Sequence, residues 1–154
     1  MSPLQPLLAL LALAEKERDA SLAAHQQAQR AAEAAQAQSQ QLLDYRSDYE
    51  QRWTHQFQTQ GTMPVLHAYQ GFMGRLGQAV THQDRIVAQA GDQLARAAQV
   101  LREHELRVAS VRKLIERRQQ ELGLVAERRE QKATDEFAAR AGWNRSSGFG
   151  ADAH

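Results

Sequence analysis

A heptad repeat between residues 66 and 125 limits what this chain can fold into more than any other feature. Counting in sevens from the first position gives nine apolar residues without a miss: Leu66, Met73, Val80, Val87, Leu94, Leu101, Val108, Ile115 and Leu122. The positions three residues further on are apolar in six of nine cases: Tyr69, Leu76, Gln83, Ala90, Ala97, His104, Val111, Arg118 and Val125. Such a repeat places a narrow apolar stripe, here called the seam, on a helix that needs a partner helix to bury it. At 1.5 Å per residue the stretch is roughly 90 Å long, so it predicts a rod.

The composition of the chain agrees with long helices. Aromatic residues make up 6% of the 154 residues and there are three Pro, which leaves little for a layered globular core. The formal charge is +1, from 19 basic and 18 acidic side chains, so no strong field favours nucleic acid or anionic lipid. Because cysteine is absent, the chain has neither a disulfide framework nor a thiolate nucleophile.

The first helix is predicted from about residue 4 to residue 57. Its apolar start, residues 7–14, ends in a possible signal-peptidase site, but no Lys or Arg precedes the run. The run is also shorter than the about 20 residues that cross a membrane. Residues 23–41 contain fifteen Ala and Gln in nineteen positions. We interpret Ala28, Ala32 and Ala35 as a thin stretch of seam, and a disordered Gln/Ala linker is the alternative.

The segment Gly61-Thr62-Met63-Pro64 divides two long helical patterns. Gly and Pro together favour a chain reversal, so we predict a turn over about residues 58–64 and a second helix over about 65–140. The predicted fold is all-α, a long two-helix antiparallel coiled-coil hairpin over residues 1–140, followed by a disordered tail over 141–154. Residues whose numbers add to about 122 should then lie side by side. The first helix runs out near Arg118, so the second helix should continue without a partner through residues 121–140.

No pattern in the sequence indicates catalysis. The six His have no metal-binding spacing, and the Gly repeat at 71, 74 and 77 has no preceding strand or following Lys. Carboxylates fall on exposed faces with no pocket to perturb them. We therefore predict that the protein is not an enzyme and needs no cofactor or metal. His104 is interpreted as a polar seam residue that helps to set register.

Two sets of residues with the same spacing should meet near the turn. Each set advances in steps of four, three and four along its helix, and the folding-back rule places both at one height. The eight residues, here called the aromatic patch, are Gln38, Leu42, Tyr45, Tyr49, Phe72, Leu76, Ala79 and Gln83. Two Tyr and a Phe exposed together are typical of a binding hot spot. The alternative is that these side chains only thicken the core.

Four segments of the sequence resemble FliJ, the small coiled-coil component of the flagellar type III export apparatus. They are residues 4–14, the Leu-Leu-Asp-Tyr-Arg-Ser-Asp-Tyr of 42–49, the Tyr-Gln-Gly-Phe-Met-Gly-Arg-Leu of 69–76, and the Arg-Arg-Glu-Gln-Lys-Ala-Thr-Asp-Glu-Phe-Ala-Ala-Arg of 128–140. Together they span nearly the whole chain in family-like order. The tail after Arg140 departs from the pattern.

The resemblance implies a cytoplasmic stalk similar to the central stalk of rotary ATPases. It implies three partners: the ring of the flagellar export ATPase, the membrane export gate protein and the export chaperones. It also implies a peripheral location at the inner-membrane flagellar base. The aromatic patch matches the family's gate-binding surface. By the likeness to a rotary stalk, the ATPase should contact the end that carries Leu7, Leu11, Leu122, Val125, Arg128, Arg129, Lys132 and Phe137. The alternatives are the equivalent stalk of a virulence type III secretion system and a structural or adaptor coiled coil unconnected with secretion.

Overall fold

A computed structural model describes residues 2–151 and consists of two long helices. Helix α1 spans Gln5–Gln60 and helix α2 spans Met63–Ala151. No strand occurs among the described residues, and the two helices pack against each other. The predicted all-α two-helix hairpin is therefore confirmed.

The connection between the helices is shorter than the sequence predicts. Only Gly61 and Thr62 lie between them, because Pro64 is the second residue of α2 rather than part of the turn. The first N–H groups of a helix have no partner inside the helix, so Pro costs little in this turn. The first hydrogen bond of α2 runs from the Leu66 N–H to the Thr62 carbonyl oxygen, at 3.0 Å. Pro64 thus starts the second helix instead of ending the first.

Helix α2 also continues beyond Arg140, where the sequence predicts a disordered tail. The helix includes residues 141–151, while residues 152–154 lie outside the described part of the chain. Loss of apolar periodicity at residue 141 therefore does not mark the end of the helix. Each further residue adds one hydrogen bond to an existing ladder, and no Pro interrupts it.

The chain forms two compact units, of which one is Glu15–Leu106. In this unit the residues buried on α2 are Leu76, Val80 and Gln83, and all three are seam positions. In the same unit α1 buries small side chains at Ser21, Ala35 and Ser39, and it half-buries Ala28 and Ala32. The predicted Ala seam is confirmed, and the disordered-linker alternative is wrong. Small side chains let the two backbones approach closely, so a thin stripe suffices.

The polar seam residue His104 belongs to the same unit and is half-buried. Its Nδ1 atom lies 3.6 Å from the Glu17 Oε2 atom of α1. A polar side chain at a single seam position favours one register over others, because a slipped register separates it from its partner.

The other unit combines Met1–Ala14 with Arg107–His154. Its core contains Ala14 on α1 and Val108, Val111 and Ile115 on α2, again at seam positions. Burial ends after these residues: Arg118 is exposed and Leu122 is half-buried. Of the side chains described over 123–147, all except Ala141 are exposed. The prediction that α2 continues past its partner is confirmed.

Two glycines should respond in opposite ways to replacement by Ala. A Cβ atom on Gly61 would lie 2.9 Å from the Phe57 carbonyl oxygen, so Gly61→Ala forces the backbone to shift. We expect a loss of stability on the order of 1 kcal/mol. A Cβ atom on Gly91 meets nothing within 4 Å. Because Gly is a poor helix former, Gly91→Ala should stabilise by up to about 1 kcal/mol. Thermal unfolding checks both, and equal shifts of the two melting temperatures would contradict the packing at Gly61.

Candidate functional site

A continuous cluster of aromatic rings spans both helices within the unit Glu15–Leu106. Tyr49 and Phe72 lie closest, with ring centroids 4.0 Å apart. Tyr45 meets Tyr49 at 5.9 Å and the edge of Phe72 at 6.2 Å. The two Tyr45 separations are those of favourable aromatic pairs, each worth about 0.5–1.5 kcal/mol beyond the area it buries. The structure therefore brings together the three aromatic residues that the sequence predicts.

Two further aromatic residues extend the cluster towards the turn. Trp53 lies 5.8 Å from Tyr49 and 5.3 Å from Tyr69, measured between ring centroids. The predicted patch omits both. Their spacing places them on the same faces as the patch. Trp53 is four residues after Tyr49 on α1, and Tyr69 is three before Phe72 on α2.

A shallow apolar groove continues from this extension. It has a volume of about 360 Å³ and is lined by Trp53, Phe57, Leu66 and Tyr69, together with Thr54 and Gln58. Trp53 and Tyr69 thus form part of the wall of an open groove. This geometry suits contact with another protein more than enclosure of a small molecule.

Burial divides the eight residues of the aromatic patch. Gln38 is exposed, and Tyr45 is 49% exposed. Four residues are half-buried: Leu42, Tyr49, Phe72 and Ala79. Leu76 and Gln83 are each only 7% exposed. Both are seam positions of α2, and the facing helix covers them.

The buried Gln83 amide joins the two helices. Its Nε2 group donates to the main-chain oxygen of Ala35 at 2.9 Å and to the Gln38 Oε1 atom at 3.4 Å. A buried polar group is costly unless it is hydrogen-bonded, and these two bonds satisfy this one. Above it lies a groove of about 410 Å³ lined by Gln38, Gln41, Leu42, Tyr45 and Gln83. Gln83 forms part of this groove without being an exposed contact residue.

The unit formed by Met1–Ala14 and Arg107–His154 carries the other predicted site. Phe137 is 75% exposed, and Val125, Arg128, Arg129 and Lys132 are exposed as well. The remaining predicted members are half-buried and contribute to packing: Leu7, Leu11 and Leu122. Sequence reasoning missed Leu124 and Trp143, both largely exposed on the same helix. We call residues 122–147 the C-terminal extension.

A comparison with protein families decides which of the possible coiled-coil proteins this is. A family model described as the flagellar FliJ protein matches residues 2–147. The chain belongs to the FliJ family. No curated protein and no solved structure matches the chain.

Membership of the FliJ family makes this chain a component of the flagellar export apparatus. The resemblance stated from the sequence is thereby confirmed. It favours the flagellar interpretation over a virulence secretion stalk or an unrelated adaptor, and it places the chain in a family of structural export components. The match includes the whole aromatic patch and the whole C-terminal extension.

The described residues of this FliJ family member offer neither a metal-binding group nor a membrane-spanning helix. No group of three or more His, Asp or Glu in residues 2–151 is arranged to hold a metal ion. None of the helices in that part of the chain is both long and apolar enough to cross a membrane. The chemistry that the surfaces offer is aromatic and aliphatic contact with mixed charge around it.

Proposed function

We propose that this FliJ family member is a non-enzymatic stalk that couples the export ATPase ring to the membrane export gate and also interacts with export chaperones. In this proposal the gate protein binds the aromatic patch and the ATPase binds the C-terminal extension. The protein is held at the cytoplasmic side of the inner-membrane flagellar base through these partners. The observation that carries the proposal is the partly exposed aromatic cluster across both helices.

Partial exposure of the cluster supports a binding role. Tyr45 leaves half of its surface in contact with solvent while its ring packs beside those of Tyr49 and Phe72. A rigid, partly exposed aromatic ring loses little entropy on binding and buries a large apolar area, which is the property of a hot-spot anchor. Elsewhere the α1 seam consists largely of Ala and Ser, so the helices do not need large rings between them in order to pack.

The C-terminal extension supports contact with a different partner. Leu124, Val125, Phe137 and Trp143 are exposed apolar side chains on a helix that has no neighbour among the described residues there. Apolar anchors interleaved with Arg and Lys favour association that is steered by charge and held by a few buried contacts. The two surfaces belong to different units of the chain, so each partner has its own binding site.

The gate-binding role is tested by Tyr45→Ala with Leu106→Ala as the matched control. Both side chains are exposed in the same unit, at 49% and 67%, but Leu106 lies outside the patch. Tyr45→Ala should weaken binding to the purified gate protein by about 30-fold or more, the range of a hot-spot anchor. Leu106→Ala should leave it unchanged. Titration calorimetry measures both affinities, and circular dichroism reports helicity.

Two outcomes would contradict this assignment. Normal gate binding by both Tyr45→Ala and Phe72→Ala would remove the patch from the gate interface. Loss of helicity in Tyr45→Ala would show that the rings are core, as in the alternative interpretation.

A further inference from the structure

We infer that Gln38 is a specificity-determining hydrogen-bond donor in the aromatic patch, and that buried Gln83 is the positioning residue that makes it one. The inference rests on the proposed function, because it concerns what the gate protein meets at this patch. It goes further by naming the chemistry of the contact, which is an acceptor oxygen on the partner.

The orientation of the Gln83 amide follows from the group that it meets. Its nearest polar partner is the main-chain carbonyl oxygen of Ala35, at 2.9 Å, and a carbonyl oxygen can only accept. The NH₂ end of Gln83 must therefore face α1. Because Gln83 is 7% exposed, water has little access to offer a competing arrangement.

The second hydrogen of the same NH₂ group determines how Gln38 is oriented. The Gln83 Nε2 atom lies 3.4 Å from the Gln38 Oε1 atom, so Gln38 presents its oxygen inward as an acceptor. A primary amide carries its oxygen and its NH₂ group on opposite sides of one carbon. The NH₂ end of Gln38 is then the outer end, on an exposed side chain at the groove that Gln41, Leu42 and Tyr45 also line.

Two hydrogen bonds thus orient the Gln38 amide so that its NH₂ group faces outward. The bond from Gln83 to the Ala35 carbonyl oxygen determines which end of the Gln83 amide faces α1. The bond from Gln83 to the Gln38 oxygen then determines which end of the Gln38 amide faces outward. The groove therefore presents the two N–H donors of Gln38 beside Tyr45. A partner that places a carbonyl or carboxylate oxygen there gains a hydrogen bond. A partner that presents a donor is rejected, because two donors would face each other.

The test is Gln38→Glu, with Gln41→Glu as the matched control. Both changes add one negative charge to the same groove, three residues apart, but only Gln38 accepts from Gln83. In Gln38→Glu the carboxylate keeps the inward bond and turns an acceptor outward. Binding to the gate protein should fall by about tenfold or more, whereas Gln41→Glu should change it by less than about twofold. Equal losses in the two variants would mean that charge alone is responsible and would overturn the inference.

Gln38→Lys separates the two sources of the acceptor oxygen, because it keeps an outward donor. A partner carboxylate predicts tighter binding that weakens as salt rises, and a partner carbonyl predicts binding near that of the unmodified chain. Both results support the donor assignment. A loss as large as that of Gln38→Glu would overturn it.

The role of Gln83 is tested by Gln83→Leu alone and combined with Gln38→Glu. In Gln83→Leu the Leu side chain fills the seam. The Ala35 carbonyl oxygen keeps the hydrogen bond that α1 itself supplies, so the melting temperature should not change. Gln38 then loses its fixed orientation, and gate affinity should fall by about threefold in Gln83→Leu, whereas the double variant should bind no more weakly than Gln38→Glu alone. Additive losses would mean that Gln83 contacts the gate itself and would overturn its positioning role.

The hydrogen bonds of Gln83 can be tested on the chain alone, without the gate protein. The side-chain NH₂ protons of Gln83 should exchange with solvent much more slowly than those of Gln41, as followed by nuclear magnetic resonance. Equal exchange rates would overturn the hydrogen-bond chain whatever the gate does. If Tyr45→Ala and Phe72→Ala bind the gate normally, the proposed function fails instead.

Discussion

Val108→Asp should lower the free energy of unfolding of this protein by about 3–5 kcal/mol, the cost of an uncompensated charge in a packed interior. Val108 is 2% exposed and lies in the seam of α2. The carboxylate would lose its hydration, and the valine methyl groups would no longer fill the seam. Chemical denaturation followed by circular dichroism measures the change. A marginally stable domain would be largely unfolded by a loss of this size.

Val100→Asp is the control for this prediction. It makes the same chemical change on the same helix, with the same difference in helix propensity, but Val100 is 43% exposed and lies outside the seam. Its effect should stay within about 0.5 kcal/mol, as for ordinary surface substitutions. Equal destabilisation by the two changes would show that the seam of α2 does not contribute more to stability than its outer face.

A chain that ends at Glu121 should lose binding to the export ATPase while keeping its fold. The deletion removes the whole C-terminal extension, including Phe137 and Trp143. If those exposed side chains are anchors, the affinity should fall by about 30-fold or more. Stability should change little, because Leu122 and Ala141 are the only described side chains over 122–147 that are not exposed. Analytical ultracentrifugation with the purified ATPase measures binding.

A chain that ends at Ser147 serves as the matched control for this deletion. It keeps the whole C-terminal extension, which the family match covers, and should bind the ATPase normally. Phe137→Ala then tests one anchor in the full chain. Normal ATPase binding by the Glu121-terminated chain would remove this end of the protein from the ATPase interface.

The site was predictable in part, and the aromatic residues show why. Tyr49 and Phe72 meet because a short turn between two helices leaves few possible registers, and that rule needs only residue numbers. The same rule also pairs Trp53 with Tyr69, which extend the cluster beyond the predicted patch. The heptad count already places Leu76 and Gln83 in the seam of α2, and each is 7% exposed. Spacing alone could not show that the buried Gln83 amide meets the Ala35 carbonyl oxygen and the Gln38 side chain.

The sequence by itself determined the two helices, the apolar stripe of α2 and the place of the reversal. These follow from local preferences and from a repeat that recurs every seven residues, so each segment carries its own evidence. The resemblance to FliJ also rests on sequence alone, since it is carried by short segments in order.

Only the tertiary structure decided which polar groups are buried and what they meet. The bond from Gln83 to the Ala35 carbonyl depends on how closely two helices approach, and the Ala and Ser side chains of the α1 seam permit that approach without any strong apolar signal of their own. The continuation of α2 past Arg140 was likewise invisible to the repeat. An apolar repeat records where a partner helix lies, whereas hydrogen bonds along the backbone and across the seam depend on geometry that the repeat does not encode.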